Sequence, residues 1–208
     1  MQKSQNSIIK NNGIPPQRKS LRLPDYDYSQ PGAYFVTTVT QARKCLFGEI
    51  HNGEMSLNNP GHMVQGWWLE LMNKYPEVNL GEYIIMPNHF HGIIEIALNV
   101  GADLRVCPDD EIDKGKRSMG AHTGAPLPKN GSLPDIVRWF KTMTTNAYMQ
   151  GVKLYGWSSF EGKLWQRNYY EHVIRDERDY EAIVDYIQTN PDNWERDEEY
   201  ALKPYDFE

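Results

Sequence analysis

The chain has 208 residues, 39% hydrophobic and 24% charged, which is ordinary for one globular domain with a substantial core. No apolar run approaches the roughly 20 residues of a membrane helix, and the opening MQKSQNSIIKNNG lacks the apolar centre of an export signal, so no membrane association and a cytoplasmic location are expected. The net charge of −6 counts at first against a nucleic-acid partner.

In chain order, residues 1–17 are rich in Asn, Gln, Ser and Lys and read as a mobile arm, bounded at about 20, with Arg18 and Lys19 in a small basic cluster. Ala33 to Thr40 (AYFVTTVT) is aromatic and β-branched, which predicts a strand. From His62 to Tyr75, the residues Met63, Val64, Trp67, Trp68, Leu71 and Tyr75 recur at helical spacing. Two apolar runs, Tyr83 to Met86 and Gly92 to Leu98, flank Pro87 and Asn88 as the arms of a β-hairpin flank its turn. The stretch from about 99 to 131 has no periodicity and reads as a loop insertion. Cys107 falls within it; with the distant Cys45 it reads as a pair of reduced thiols, not a metal or disulfide site.

Leu133, Ile136, Val137 and Phe140 mark a second helix, with Ser132 as its N-cap and Asp135 in the capping-box position. Leu164 to Ile174 reads as a strand broken by polar residues. Asp176 opens a final helix with the apolar face Tyr180, Ile183, Val184 and Ile187, ending near Asn190-Pro191. From Glu171 to Glu208 there are 13 acidic and 4 basic residues, net −9, which leaves 15 acidic and 18 basic, net +3, for the rest. A weakly basic body with an acidic tail at 192–208 can still offer a basic groove to phosphates. The order strand, helix, strand, strand, helix, strand predicts an α+β domain over 21–191. The expected form is a ferredoxin-like split βαβ antiparallel sheet with helices on one face and one extra C-terminal helix.

The chemistry concentrates in Met86-Pro87-Asn88-His89-Phe90-His91. On a strand, His89 and His91 project to one side and Phe90 to the other, so two imidazoles can grip one divalent cation. The plainer alternative is a pair of solvated histidines at a strand start. On the final helix, Tyr186 and Asn190 are four residues apart and share a face at the rim of the apolar stripe. Asn190 can offer an amide oxygen to a hard cation, and Tyr186 a nucleophilic phenol. Alternatively, Tyr186 is an amphipathic boundary residue and Asn190 the C-cap. Of the 13 tyrosines, Tyr169, Tyr170 and Tyr180 have only Val173, Ile174 and Val184 four residues on, and Tyr186 alone of these has an amide there. His172 reads as structural or as a partner to a ligand. Arg138 and Lys141 on the second helix, and Arg167 beside Tyr169 and Tyr170, offer phosphate contact and base stacking, or simply a solvated face and core aromatics.

The segments MPNHFHGIIEI, LWQRNYYEHVIRD and IVDYIQTNP resemble the signature segments of the REP-associated tyrosine transposases, members of the single-tyrosine HUH transposases. YDYSQPGAYFVTTVTQARKCLFGEI resembles the family's opening, and the likeness runs from about Leu21 to Pro191 outside the insertion. The resemblance implies His89 and His91 as ligands of Mg²⁺ or Mn²⁺, Tyr186 as nucleophile and Asn190 as third ligand, where relatives often carry Gln. It implies a metal-dependent endonuclease and strand transferase acting on single-stranded or hairpin DNA through a 5′-phosphotyrosine. It also allows a homodimer in which Tyr186 serves the partner's metal. Two rivals are a domesticated hairpin-binding protein without cleavage activity and a metal-dependent hydrolase of a small phosphoester.

Overall fold

The computed structural model of the chain describes residues 26–97 and 131–196. The arm at 1–20 with Arg18 and Lys19, Cys107 with nearly all of the 99–131 insertion, and most of the 192–208 tail lie outside the described residues.

Gly32–Val39 forms the first strand, β1, and a short hairpin of β2 (Gly48–His51) and β3 (Glu54–Leu57) follows. Then come α1 (Asn59–Lys74), β4 (Val78–Ile85), β5 (His89–Ile96), α2 (Leu133–Tyr155), β6 (Tyr170–Ile174) and α3 (Glu177–Thr189). The main sheet has the order β4-β5-β1-β6 with every neighbouring pair antiparallel. That is the α+β split βαβ arrangement that the order of elements predicts, with the β2–β3 hairpin added between the first strand and the first helix.

The two faces of this sheet are different. On β5, Phe90 packs against Trp68 of α1 at 4.5 Å and Phe140 of α2 at 5.3 Å between ring centroids. This places α1 and α2 on one face, over a core that includes Tyr34, Val36, Ile94 and Ile136. Gly92 leaves room for the indole, since a Cβ there would lie 2.7 Å from Trp68. The opposite face carries His89, His91 and Glu95, and α3 lies over it, with the Tyr180 hydroxyl donating to Glu95 Oε1 at 3.1 Å. Near Gly81 the ladder between β4 and β5 shifts register, and a side chain at 81 would meet both Tyr180 and Ile93. The glycine therefore lets α3 settle closely on the sheet.

Local chemistry accounts for the element ends. Asn58 caps α1 by accepting from the Gly61 amide at 2.9 Å, with Pro60 in the first turn. Gly156, in the left-handed region at φ 69°, ends α2. Asp176 caps α3 through the Asp179 amide at 2.9 Å, and Asn190 closes it before Pro191. The expected capping box on α2 differs: the Ser132 hydroxyl donates to the Asp135 carboxylate at 2.7 Å and caps no backbone amide.

The strand expected over 164–174 is shorter, and the reason is visible. The Lys141 ammonium donates to the carbonyls of Gln166 at 2.6 Å, Asn168 at 3.0 Å and Arg167 at 3.5 Å. These carbonyls face the Lys141 ammonium in place of a neighbouring strand, and β6 begins only at Tyr170. Leu164 and Trp165 are instead buried in the core, with Trp165 bridging to Thr40. Among the described residues, no helix is long and apolar enough to cross a membrane.

Candidate active site

His89 and His91 share one face of β5, with ring centroids 4.5 Å apart. Both are buried, at 0% and 3% exposure, whereas Tyr186 above them is 45% exposed. The Tyr186 hydroxyl lies 3.4 Å from His91 Nε2, and the two rings meet at 5.2 Å. Phe35 of β1 stacks on His91 at 5.3 Å and meets Tyr186 edge-on at 6.0 Å, so the imidazole is held between a half-buried phenyl ring and the phenol.

Each imidazole is oriented from behind. His91 Nδ1 lies 2.7 Å from the Thr37 hydroxyl, its cross-strand neighbour on β1. Burial, and secondarily the neighbouring His89, hold the His91 pKa well below the ordinary imidazole value, so the ring is neutral at pH 7. His89 Nδ1 lies 2.8 Å from Asn88 Oδ1. The orientation of that amide is fixed by its other end, where Asn88 Nδ2 donates to the Arg43 carbonyl at 3.2 Å. An amide oxygen only accepts, so His89 carries its proton on Nδ1 and keeps the Nε2 lone pair for another use. The Asn88 carbonyl is fixed in turn by the Thr40 amide at 2.8 Å.

Asn190, 2% exposed, sits one turn beyond Tyr186 at the end of α3. The chain then turns through Trp194–Arg196, and the Trp194 indole covers His89 at 5.9 Å. Among the described residues, no group of three or more His, Cys, Asp and Glu side chains is placed to hold a metal ion. An ion at this site would therefore draw on the two imidazoles and a neutral oxygen. Two imidazoles on one strand face, one with its Nδ1–H fixed by a neighbouring amide, have the chemistry of a divalent-cation pair, and the buried Asn190 amide suits the role of third donor.

The remaining residues singled out by the sequence divide. Tyr169 is buried in the core, while Tyr170, 49% exposed, lies on the His91 face as the cross-strand neighbour of Thr37. His172 is also on that face, and its Nε2 pairs with Asp179 at 2.8 Å, which ties β6 to α3. This pairing holds the Asp179 carboxyl below the ordinary value. Arg138 stands exposed on α2, across the sheet from the imidazoles, in an ion pair with Asp135 at 2.6 Å. Lys141, half-buried on the same helix, donates to three carbonyls of the loop before β6. Burial, with Lys163 nearby, pushes its pKa down to about 8. Arg167 is exposed on the loop that Lys141 holds.

Spacing alone does not single out Phe35, Thr37, Asn88 and Trp194. The alternation of AYFVTT puts Phe35 and Thr37 on one strand face, and Asn88 stands directly before His89. No signal in the sequence points to Trp194.

No family model matches the chain. Two solved structures are similar at low identity. A REP-associated tyrosine transposase bound to a REP hairpin has a TM-score of 0.49 and 19% identity, over 83% of this chain and 73% of that one. A transposase candidate from Deinococcus radiodurans R1 has a TM-score of 0.40 and 13% identity, over 76% of this chain and 90% of that one. An uncharacterised protein of Haemophilus influenzae is much nearer in sequence, 39% identical over 188 residues that cover 88% of this chain and 93% of the relative. At that identity over nearly the full length of both, the chain belongs to the same protein family as the Haemophilus influenzae protein.

Proposed function

We propose that this chain is a REP-associated tyrosine transposase of the HUH type, a metal-dependent nickase and ligase of single-stranded or hairpin DNA with Tyr186 as nucleophile. One observation carries the reading: the hydroxyl of the half-exposed Tyr186 lies 3.4 Å from Nε2 of a buried, neutral His91 that shares its strand face with His89. A core-packing tyrosine has no need of that position, whereas a nucleophile must be open to substrate and close to an electrophilic centre.

The residues fit a divalent ion, with His89, His91 and Asn190 as its holders. Two imidazole nitrogens and one amide oxygen are a softer set than Mg²⁺ prefers, so Mn²⁺ is the better match. Such an ion supplies polarisation of the scissile phosphate and neutralises charge developing on its oxygens.

The chain's own residues do the rest. The Tyr186 oxygen attacks phosphorus, a new P–O bond forms to the phenol, and the bond to the 3′ oxygen breaks with that oxygen taking up a proton. The phenolic proton is lost in the same step, and the resulting 5′-phosphotyrosine conserves the phosphodiester energy, so a 3′-hydroxyl can reverse the reaction and rejoin strands. Phe35 and Thr37 keep His91 from rotating while Tyr186 approaches. In this arrangement Tyr186 meets an imidazole of its own chain.

Incubation with labelled hairpin oligonucleotides and Mn²⁺ should give a denaturation-resistant protein–DNA adduct, mapped by peptide analysis to Tyr186. Tyr186→Phe should lose the adduct and keep its fold, because it removes a single oxygen from a half-exposed ring. An adduct on Tyr170, the other exposed tyrosine of this face, would refute the assignment. Tight hairpin binding by the wild type with no adduct would favour the non-cutting binder.

A further inference from the structure

The β2–β3 hairpin stands outside the split βαβ arrangement, and its two ends meet the two halves of the candidate site. At its base, the Leu46 and Phe47 amides donate to the Pro87 carbonyl at 2.8 and 3.0 Å. The Asn58 amide donates to the Phe47 carbonyl at 3.1 Å, and the Asn58 side chain to the Leu46 carbonyl at 3.0 Å. Phe47 itself is fully buried in the core. Pro87 directly precedes Asn88 and His89, so the hairpin base is fixed to the turn from which the imidazole strand starts.

The hairpin has little freedom between its ends. Its strands pair from Gly48 with Leu57 to His51 with Glu54, and close through Asn52-Gly53 at φ 53° and 79°. A two-residue turn of this kind fixes register and twist. At the tip, the Asp192 carboxylate fills the space that a side chain at Gly53 would need, and the Asp192 Cα would lie 3.7 Å from a Cβ there.

Asp192 follows the buried Asn190 and Pro191 and precedes Trp194, whose indole covers His89. The segment is tightly wound. The Asn193 amide donates to the Thr189 and Asn190 carbonyls at 3.2 and 3.1 Å, the Asn193 side chain to the Thr189 carbonyl at 3.0 Å, and the Trp194 amide to the Pro191 carbonyl at 3.3 Å. A displacement of Asp192 is therefore passed to Asn190 on one side and to Trp194 on the other. The two polar anchors of α3 outside the site, Asp179 on His172 and Tyr180 on Glu95, lie in its first turn. Asn190 is about 15 Å further along the helix, so its end needs support of its own.

Gly53 answers two demands at once. Its left-handed backbone is one that Asn also adopts, as Asn52 beside it does. Its missing Cβ lets the 190–194 segment close on the hairpin, and no other residue permits that.

Resting on the metal-dependent reading above, we propose that the β2–β3 hairpin is a brace that sets the spacing of the site, with Gly53 and Asp192 as positioning residues. The brace holds the Asn190 amide and the Trp194 indole against an imidazole pair that it fixes from the other side through Pro87. Donor atoms of such a site must be held within about 0.5 Å, which an unsupported helix end does not achieve.

The test is a double-mutant cycle on the full chain, read by electron paramagnetic resonance of free Mn²⁺ and by the indole N–H resonance of Trp194. Gly53→Asn keeps the left-handed turn but needs the space of Asp192. It should shift the Trp194 resonance and weaken Mn²⁺ binding by about tenfold or more, as loss of an orienting partner does. In an Asp192→Gly background, where the space is open, the same substitution should change Mn²⁺ affinity by less than about twofold. Gly156→Asn places the same side chain on a left-handed backbone with nothing within 4 Å. It should lower Tm and leave Mn²⁺ affinity unchanged. If the wild type binds Mn²⁺ and forms its adduct but Gly53→Asn binds Mn²⁺ as the wild type does, the brace is wrong and the enzymatic reading stands. An equal loss in the Asp192→Gly background, or with Gly156→Asn, would trace the effect to a weakened fold and also overturn the brace. If the wild type binds no Mn²⁺ with or without an oligonucleotide, the metal-dependent reading falls and the brace with it.

Discussion

Asn88 is the residue on which the orientation of the imidazole pair depends most directly. Asn88→Ala removes the acceptor of the His89 Nδ1 proton at 2.8 Å and the donor to the Arg43 carbonyl at 3.2 Å. His89 is fully buried, so its Nδ1–H loses a partner that water cannot readily replace, at a cost of about 1–3 kcal/mol. The Arg43 carbonyl belongs to a half-buried loop residue and adds less, so a total near 2–4 kcal/mol is expected. The more telling effect is on the ring itself. With no acceptor at Nδ1, the neutral imidazole is free to place its proton on Nε2, and each molecule that does so loses the lone pair an ion needs. Removal of an orienting partner of this kind typically lowers metal affinity by about 10–100-fold. Long-range ¹H–¹⁵N spectra of the metal-free protein read the tautomer directly, and a Mn²⁺ titration reads the affinity. Asn88→Asp should keep the Nδ1–H tautomer, because a carboxylate accepts as the amide oxygen does, while losing the bond to Arg43. If wild-type His89 carries its proton on Nε2, or if Asn88→Ala leaves the tautomer unchanged, the orienting role is refuted.

Two further predictions concern the frame around the site. Burial lowers the Lys141 pKa to about 8 from an ordinary value of 10.5, so between these values the unfolded chain binds more protons and the fold gains stability as pH rises. Relative to Lys141→Met, the wild type should gain up to about 3 kcal/mol between pH 8 and pH 10.5 in denaturant titrations, and parallel curves for the two proteins would refute the buried ammonium. Gly92→Ala should destabilise by roughly 1–3 kcal/mol, because its Cβ would lie 2.7 Å from both Trp68 and Phe90. An unchanged melting temperature would mean that the Trp68 seat is looser than described.

The sequence makes the periodic elements and the paired histidines legible, and much less of what holds them. The aromatic and β-branched composition of AYFVTTVT finds β1, and the 3.6-residue recurrence around Trp67 and Trp68 finds α1, because that recurrence reflects burial on one face. The β2–β3 hairpin escapes that reading, since its four-residue strands are too short for a period. Its turn does carry a sign in Asn52-Gly53, which take φ 53° and 79° as a two-residue hairpin requires. The α2 helix runs on to Tyr155, well past the stripe ending at Phe140, because its later turns bury Thr144, Tyr148 and Gly151 in place of large aliphatics. The 164–169 segment has strand-like composition, but a lysine about 25 residues earlier claims its carbonyls. That competition is invisible without coordinates, as is the use of Phe35, Thr37 and Trp194 to hold the two imidazoles.

The lack of a carboxylate among the candidate ligands has a consequence for how metal and DNA meet. His91 is neutral at pH 7, and an imidazole ligand at His89 and an amide at Asn190 bring no charge either. A divalent ion held by these three would keep its full charge, in contrast to sites where Asp or Glu neutralises it. A phosphate oxygen would then supply the missing negative charge, and opposite unit charges 4 Å apart attract by about 4 kcal/mol at an effective dielectric of 20. Desolvation and salt reduce that figure, so a coupling of about 1–3 kcal/mol is the reasonable expectation. Mn²⁺ should therefore bind weakly to the protein alone and roughly 5–150-fold more tightly with a single-stranded oligonucleotide present. By linkage, Mn²⁺ should raise DNA affinity by the same factor. Electron paramagnetic resonance of free Mn²⁺ measures the first quantity and anisotropy the second, with Tyr186→Phe used so that no strand is cut. His91→Ala should abolish the coupling while leaving the metal-free DNA affinity near its wild-type value. Mn²⁺ affinity that is already tight without DNA, and unchanged by it, would mean that an acidic side chain completes the site and that the three-residue ligand set is wrong.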